Sequence, residues 1–127
     1  MIITSTLANF FSNFQNHIIL LRPSMICVIN KQIPPIASTL QNLGFINGYQ
    51  ILEKNKIKIF FKILENEAVI KKIRMVSKPG RRKYISYNAL SRLQKSETFI
   101  ISTNRGIMGD SEAKRHQLGG EIICSIF

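Results

Sequence analysis

The chain has 127 residues, 45% of them hydrophobic, which is enough apolar surface for a folded core and too much for a disordered tail. It carries 18 Lys and Arg against 7 Asp and Glu, a formal charge of +11. That balance disfavours acidic ligands and ranks nucleic acid first and an anionic membrane second, while no run of about 18 apolar residues exists to span a bilayer.

In chain order, Leu7, Phe10, Phe11, Phe14, Ile18 and Leu21 recur at helical spacing and predict an amphipathic helix over residues 5–19. After the "RPS" break, residues 25–29 read as a short strand. Asn30 is placed to cap a second helix with Pro34 and Pro35 in its first turn, Ile36, Leu40 and Leu43 on its buried face, and Gly44 at its end. Residues 45–52 and 56–63 then form a hairpin around "EKNK", with the clearest alternation in "KIKIFFKI". The first lobe, residues 1–66, is therefore α-β-α-β-β.

The second lobe, residues 67–127, begins with the alternating "AVIKKIRMV" of residues 68–76, then turns at Pro79 and Gly80 within "SKPGRRKY". A strand near 84–87, an irregular or one-turn helical piece at "NALSRLQ" and a strand over 98–102 follow. The latter runs into a polar loop, "STNRG". A short helix over 111–117 ends at Gly119 and Gly120, and "EIICSIF" closes as a strand. The fold class is α+β, two small mixed lobes, the second mainly β with one short helix.

Charge is unevenly spread. Residues 1–52 hold Arg22 and Lys31 and no acid, whereas Lys71, Lys72, Arg74, Lys78, Arg81, Arg82, Lys83, Arg92 and Lys95 form a run without a single carboxylate. Solvated faces usually mix signs, so this run reads as a polyanion-binding stripe.

Catalytic and metal chemistry find little support. Cys27 and Cys124 lack C-x-x-C partners, so a zinc site with His17 and His116 has no framework, and both thiols sit in apolar strand-like runs as small reduced hydrophobes. No phosphate loop, nucleophile elbow or H-E-x-x-H motif is present, and Glu65 with Glu67 lies in a loop with no apolar frame to raise a carboxyl pKa. His17 reads as a helix-face residue and His116 as an exposed one. No enzyme activity, cofactor, metal or small-molecule substrate is expected.

Four ordered motifs carry a family resemblance over nearly the whole chain. "SKPGRRKY" resembles the Ser-x-Pro-Gly-Arg-x-x-Tyr turn of the small-subunit ribosomal protein eight family, and "ISTNRGIMGDSEAKRHQLGGEIICSIF" resembles its Ser-Thr-Ser-Lys-Gly loop, short helix and Gly-Gly-Glu. "LANFFSNFQN" is similar to the family's first helix and "QNLGFINGY" to its second-helix exit. The resemblance implies a structural protein that binds the central domain of small-subunit ribosomal RNA early in assembly, among neighbouring ribosomal proteins. A-form RNA hides its major groove, so such proteins read shape, splayed bases, 2′-hydroxyls and phosphates.

On that reading Ser102, Thr103 and Asn104 touch RNA sugars and a base edge, Arg105 neutralises phosphate, and Gly106 permits an unusual exit from the loop. Ser77, Lys78, Arg81 and Arg82 belong to the same interface, with Lys31 from the first lobe. Tyr84 either joins them or packs, and Gly120 with Glu121 orients a loop or a basic side chain. The bland alternative for Ser102 and Thr103 is a strand end. Arg81, Arg82 and Lys83 have a nuclear import signal as theirs.

Some residues depart from the family pattern. Asn104 stands for the second serine of the loop, Gly109 for a threonine that would cap the short helix, and Asn13 and Gln15 for arginines. Those lost arginines, together with the Ile-, Lys- and Asn-rich composition typical of AT-rich genomes, point to a mitochondrion, with a plastid or a bacterial cytoplasm as the alternatives. The N-terminus half resembles a transit peptide, yet has Arg22 as its only base where such peptides are arginine-rich. A free-standing basic nucleic-acid-binding regulator is the alternative to the ribosomal role.

Overall fold

A computed structural model describes residues 3–78, 80–93 and 96–127. Pro79 of the expected turn, and Gln94 and Lys95 at the end of the basic run, lie outside the described residues. The chain forms two compact units, Met1–Ile73 and Arg74–Phe127.

The first unit runs α1 (Ile3–Ile19), β1 (Ser24–Val28), α2 (Ile33–Asn42), β2 (Ile46–Leu52) and β3 (Lys56–Phe61), the α-β-α-β-β order read from the sequence. A small hairpin of β4 (Ile63–Leu64) and β5 (Glu67–Ala68) follows. Along α1 the apolar stripe Leu7, Phe10, Phe11, Phe14 and Ile18 is buried, whereas Leu21 falls beyond the helix end, with a φ of 53°, and is exposed. Phe14 meets Phe10 and Phe61 edge to face, at 5.8 and 4.9 Å between centroids. Burying a side chain of this size stabilises by about 1.5–3 kcal/mol.

The start and stop of α2 have separate chemistry. Asn30 Oδ1 accepts hydrogen bonds from the amides of Gln32 at 2.9 Å and Ile33 at 3.3 Å, just ahead of the two prolines. At the other end Gly44 takes a φ of +83°, the Phe45 amide reaches Leu40 O and the Gly44 amide reaches Gln41 O, a Schellman termination. Leu43, expected on the buried face, is exposed because the helix ends at Asn42 and Leu43 serves as its cap.

The three strands pair antiparallel in the order β1-β3-β2, with the helices over one face. Ile57, Ile59 and Phe61 of the central strand point into that core. The single strand expected over 68–76 is broken. Lys71 folds back on Glu67 at 2.8 Å, and the Ile73 amide donates to Gln15 Oε1 of α1 at 2.8 Å. The bond from Ile73 joins this segment to α1, and the first unit runs to Ile73 where the sequence reading divides the chain at 66/67.

The second unit's sheet uses β6 (Ile73–Met75), whose first residue ends the first unit, then β7 (Tyr84–Ile85), β8 (Thr98–Thr103), β9 (Gly106–Gly109) and β10 (Gly120–Ile126). The order is β6-β10-β8-β9, with β7 also pairing β10. Two short helices, α3 (Tyr87–Ser91) and α4 (Asp110–Arg115), complete it, and α3 is the one-turn piece expected at "NALSRLQ". Ser86 caps α3 by accepting from the Ala89 amide. Leu90 of α3, Ile101 of β8, Met108 of β9 and Ala113 of α4 share one buried cluster, so the helices close one sheet face; on the other, Ile100 is also fully buried, and exposure begins towards Ser102 and Tyr84.

Candidate nucleic-acid interface

Strand register decides what stands on the face turned away from α3 and α4. Glu121 of β10 lies directly opposite Tyr84 of β7 on one side and Ser102 of β8 on the other, and Ser102 lies opposite Ile107 of β9. Directly opposed residues in antiparallel strands project to the same face, so these four form one row across the sheet. Their neighbours Ile85, Ile101 and Met108 point the other way, into or against the buried cluster. Tyr84 is 71% exposed. Arg82 reaches the row from outside the strands, its Nη1 donating to both carboxylate oxygens of Glu121 at 3.2 and 3.3 Å.

Two glycines permit this spacing. A methyl group at Gly120 would collide with the carbonyl oxygen of Ser102, and one at Gly119 would lie 2.5 Å from the carbonyl oxygen of Ile85. The Gly-Gly pair thus lets β10 press against β7 and β8 at once. Sequence reasoning singled out Gly120 and missed Gly119; the Gly-Gly dipeptide was the signal for both.

Two loops flank the row, and each is closed by a hydroxyl. Ser77 is buried, and its Oγ accepts from the Lys83 amide at 3.0 Å and donates to Lys83 O at 3.3 Å. Inside that closure Lys78 and Arg81 exchange main-chain hydrogen bonds, and Gly80 takes a φ of +73°. The side chains of Lys78, Arg81, Arg82 and Lys83 are exposed. In the second loop, Thr103 Oγ1 donates to Gly106 O at 2.8 Å and accepts from the Arg105 amide at 3.1 Å. Asn104 and Arg105 form the exposed tip, and Gly106, with a φ of +112°, restarts the chain as β9.

The expected site residues therefore divide into kinds that residue type did not separate. Lys78, Arg81, Arg82, Tyr84, Asn104 and Arg105 are surface groups. Ser77 and Thr103 have their hydroxyls engaged by the main chain, and Gly106, Gly120 and Glu121 shape the backbone or hold Arg82. Ser102 is half-buried in the row. Lys31 is exposed in the turn before α2, in the first unit. Asp110, the chain's only aspartate, is not among the expected site residues, yet it is buried at the start of α4 and accepts from the Phe99 amide at 3.0 Å. Gly109 supplies no capping side chain, as its lack of one foretold, and Asp110 anchors that end instead.

Guanidinium and ammonium groups suit phosphates, a bare phenol ring can stack on a base, and hydroxyl and amide groups match sugar hydroxyls. Nucleophiles are poorly placed, since burial pushes the Cys27 thiol up to about 11 and the Cys124 thiol higher still. Among the described residues no group of His, Cys, Asp and Glu is arranged to hold a metal, and no helix is long and apolar enough to cross a membrane.

A chain of net charge +11 with this α+β fold, and with exposed cations on the two loops beside the tyrosine–serine row, falls in the class of small basic α+β proteins. Comparison with known sequences narrows the class. The model of the family "Ribosomal protein S8" matches residues 5–127. Proteins called "Small ribosomal subunit protein uS8" from Rhizobium etli and Rhizobium meliloti are 31% and 33% identical to this chain, each covering 100% of both sequences. The chain belongs to the ribosomal protein S8 family, and the resemblance carried by its four motifs is borne out.

Proposed function

We propose that this protein is a structural constituent of the small ribosomal subunit that binds the central domain of its ribosomal RNA through the second unit and supports assembly and translation. The observation that carries this is the row of exposed Tyr84, Glu121 holding Arg82, and half-buried Ser102, between the loops of Lys78–Arg81 and Asn104–Arg105. Arg81, Lys78 and Arg105 neutralise phosphates; Tyr84, Ser102 and Asn104 meet bases and sugars of an irregular stem. Ser77, Thr103, Gly106 and Gly120 hold these groups in place, and Lys31 adds a cation from the first unit. Family membership supports a structural rather than catalytic role.

The proposed compartment is the mitochondrial matrix, supported by the Ile-, Lys- and Asn-rich composition with its single aspartate. The Rhizobium relatives favour a bacterial cytoplasm as the second reading. Sedimentation of native extract tests the function: the protein should co-migrate with the small subunit in amounts equimolar with its RNA. Remaining at the top of the gradient at physiological salt would leave the free-standing regulator as the reading.

A further inference from the structure

The first unit has a second open surface. Helices α1 and α2 cover one face of the β1-β3-β2 sheet, and the positions that alternate onto the opposite face include Ile26 and Val28 of β1, Leu52 of β2, and Lys56, Lys58 and Phe60 of β3. Register sets Ile26 opposite Lys58 and Val28 opposite Lys56. Ile26 and Val28 are 55% and 56% exposed, and the Lys58 ammonium sits 5.1 Å over the Phe60 ring. None of the strand positions on this face carries a carboxylate.

We propose that this face docks an acidic, apolar-faced polypeptide segment of a neighbouring protein. The Phe60 ring lies under the Lys58 ammonium, and the branched aliphatic side chains offer no ring for a base to stack on and no partner for a sugar or phosphate, so an RNA contact would leave Ile26 and Val28 unused. An apolar centre with a charged rim is the composition of a protein interface. Its sign is fixed by Lys56 and Lys58, which complement aspartate and glutamate on the partner and would repel a second copy of this chain presenting the same lysines. The identity of the neighbours as ribosomal proteins rests on the function proposed above; the character of the surface does not.

A photoreactive benzoylphenylalanine replacing Val28, irradiated in native extract, tests the contact, with cross-linked peptides sequenced by mass spectrometry from every gradient fraction. The expected product joins Val28 to a polypeptide segment rich in Asp or Glu. Its yield should fall about tenfold in the Lys56→Glu/Lys58→Glu background, with Lys56→Gln/Lys58→Gln intermediate and circular dichroism showing both folded. Cross-linking to RNA, to another copy of the chain or to nothing, or a protein cross-link indifferent to the charge reversal, would overturn the proposal. The fraction in which the chain itself sediments reports separately on the ribosomal reading.

Discussion

The two loops beside the open row solve one problem by unequal means. Between Ser77 and Lys83 a buried hydroxyl makes two hydrogen bonds across the loop and closes a segment that presents Lys78, Arg81 and Arg82. Between Thr103 and Gly106 the hydroxyl of a half-buried residue likewise makes two hydrogen bonds, to Gly106 O and from the Arg105 amide, across a tight turn that presents Asn104 and Arg105. In both, the small hydroxyl is a fastener and the longer side chains face outward. The difference is burial, and burial sets what each fastener is worth: a donor left unmatched in the interior costs its full desolvation, while one near the surface recovers water.

Breaking the frame that both loops share should have the largest effect. Gly120→Ala drives a methyl group into the Ser102 carbonyl and cannot be relieved by a side-chain rotation, so we predict a loss of about 3 kcal/mol or more, seen in urea melts. RNA affinity should fall with it as β10 parts from β8. A variant as stable as the parent would mean the strands have slack that the geometry denies.

Ser77→Ala separates fastening from contact. It leaves the Lys83 amide buried without its partner and should cost about 1–3 kcal/mol of stability, with weaker RNA binding although Ser77 Oγ faces inward. Thr103→Val is the matching change at the exposed turn. It should cost less, about 0.5–1.5 kcal/mol, and Thr103→Ser should restore both stability and affinity by returning the hydroxyl. Equal losses at the two positions would erase the distinction drawn from burial. If Thr103→Val weakens binding to the cognate stem with no change in melting, its hydroxyl belongs to the RNA instead.

The smallest effects on folding belong to the exposed cations. Arg81→Ala and Arg105→Ala should each leave stability within about 0.5 kcal/mol. Each should weaken cognate and non-cognate RNA alike and lower the salt slope by about one phosphate contact, measured by filter binding across a salt series. A loss confined to the cognate stem would place that arginine on a base edge.

What the sequence determined by itself was whatever local pattern encodes. The 3.6-residue spacing of Phe10, Phe14 and Ile18 marked α1, Gly44 marked the end of α2, and the alternation of Ile57, Ile59 and Phe61 marked the central strand, because each follows from the geometry of one element. The basic run and the four ordered motifs were equally visible, and they sufficed for the family.

Tertiary structure alone decided which members of those motifs face outward. Ser77 and Ser102 look alike in sequence, yet the closure onto Lys83 buries one and the β8-β10 register leaves the other in the open row. Gln15, read as a lost charge, holds the Ile73 amide 58 positions away, and Asp110 holds Phe99. Such partners are chosen by which strands and helices meet, and a hydrogen bond between distant residues leaves no periodic trace in the chain.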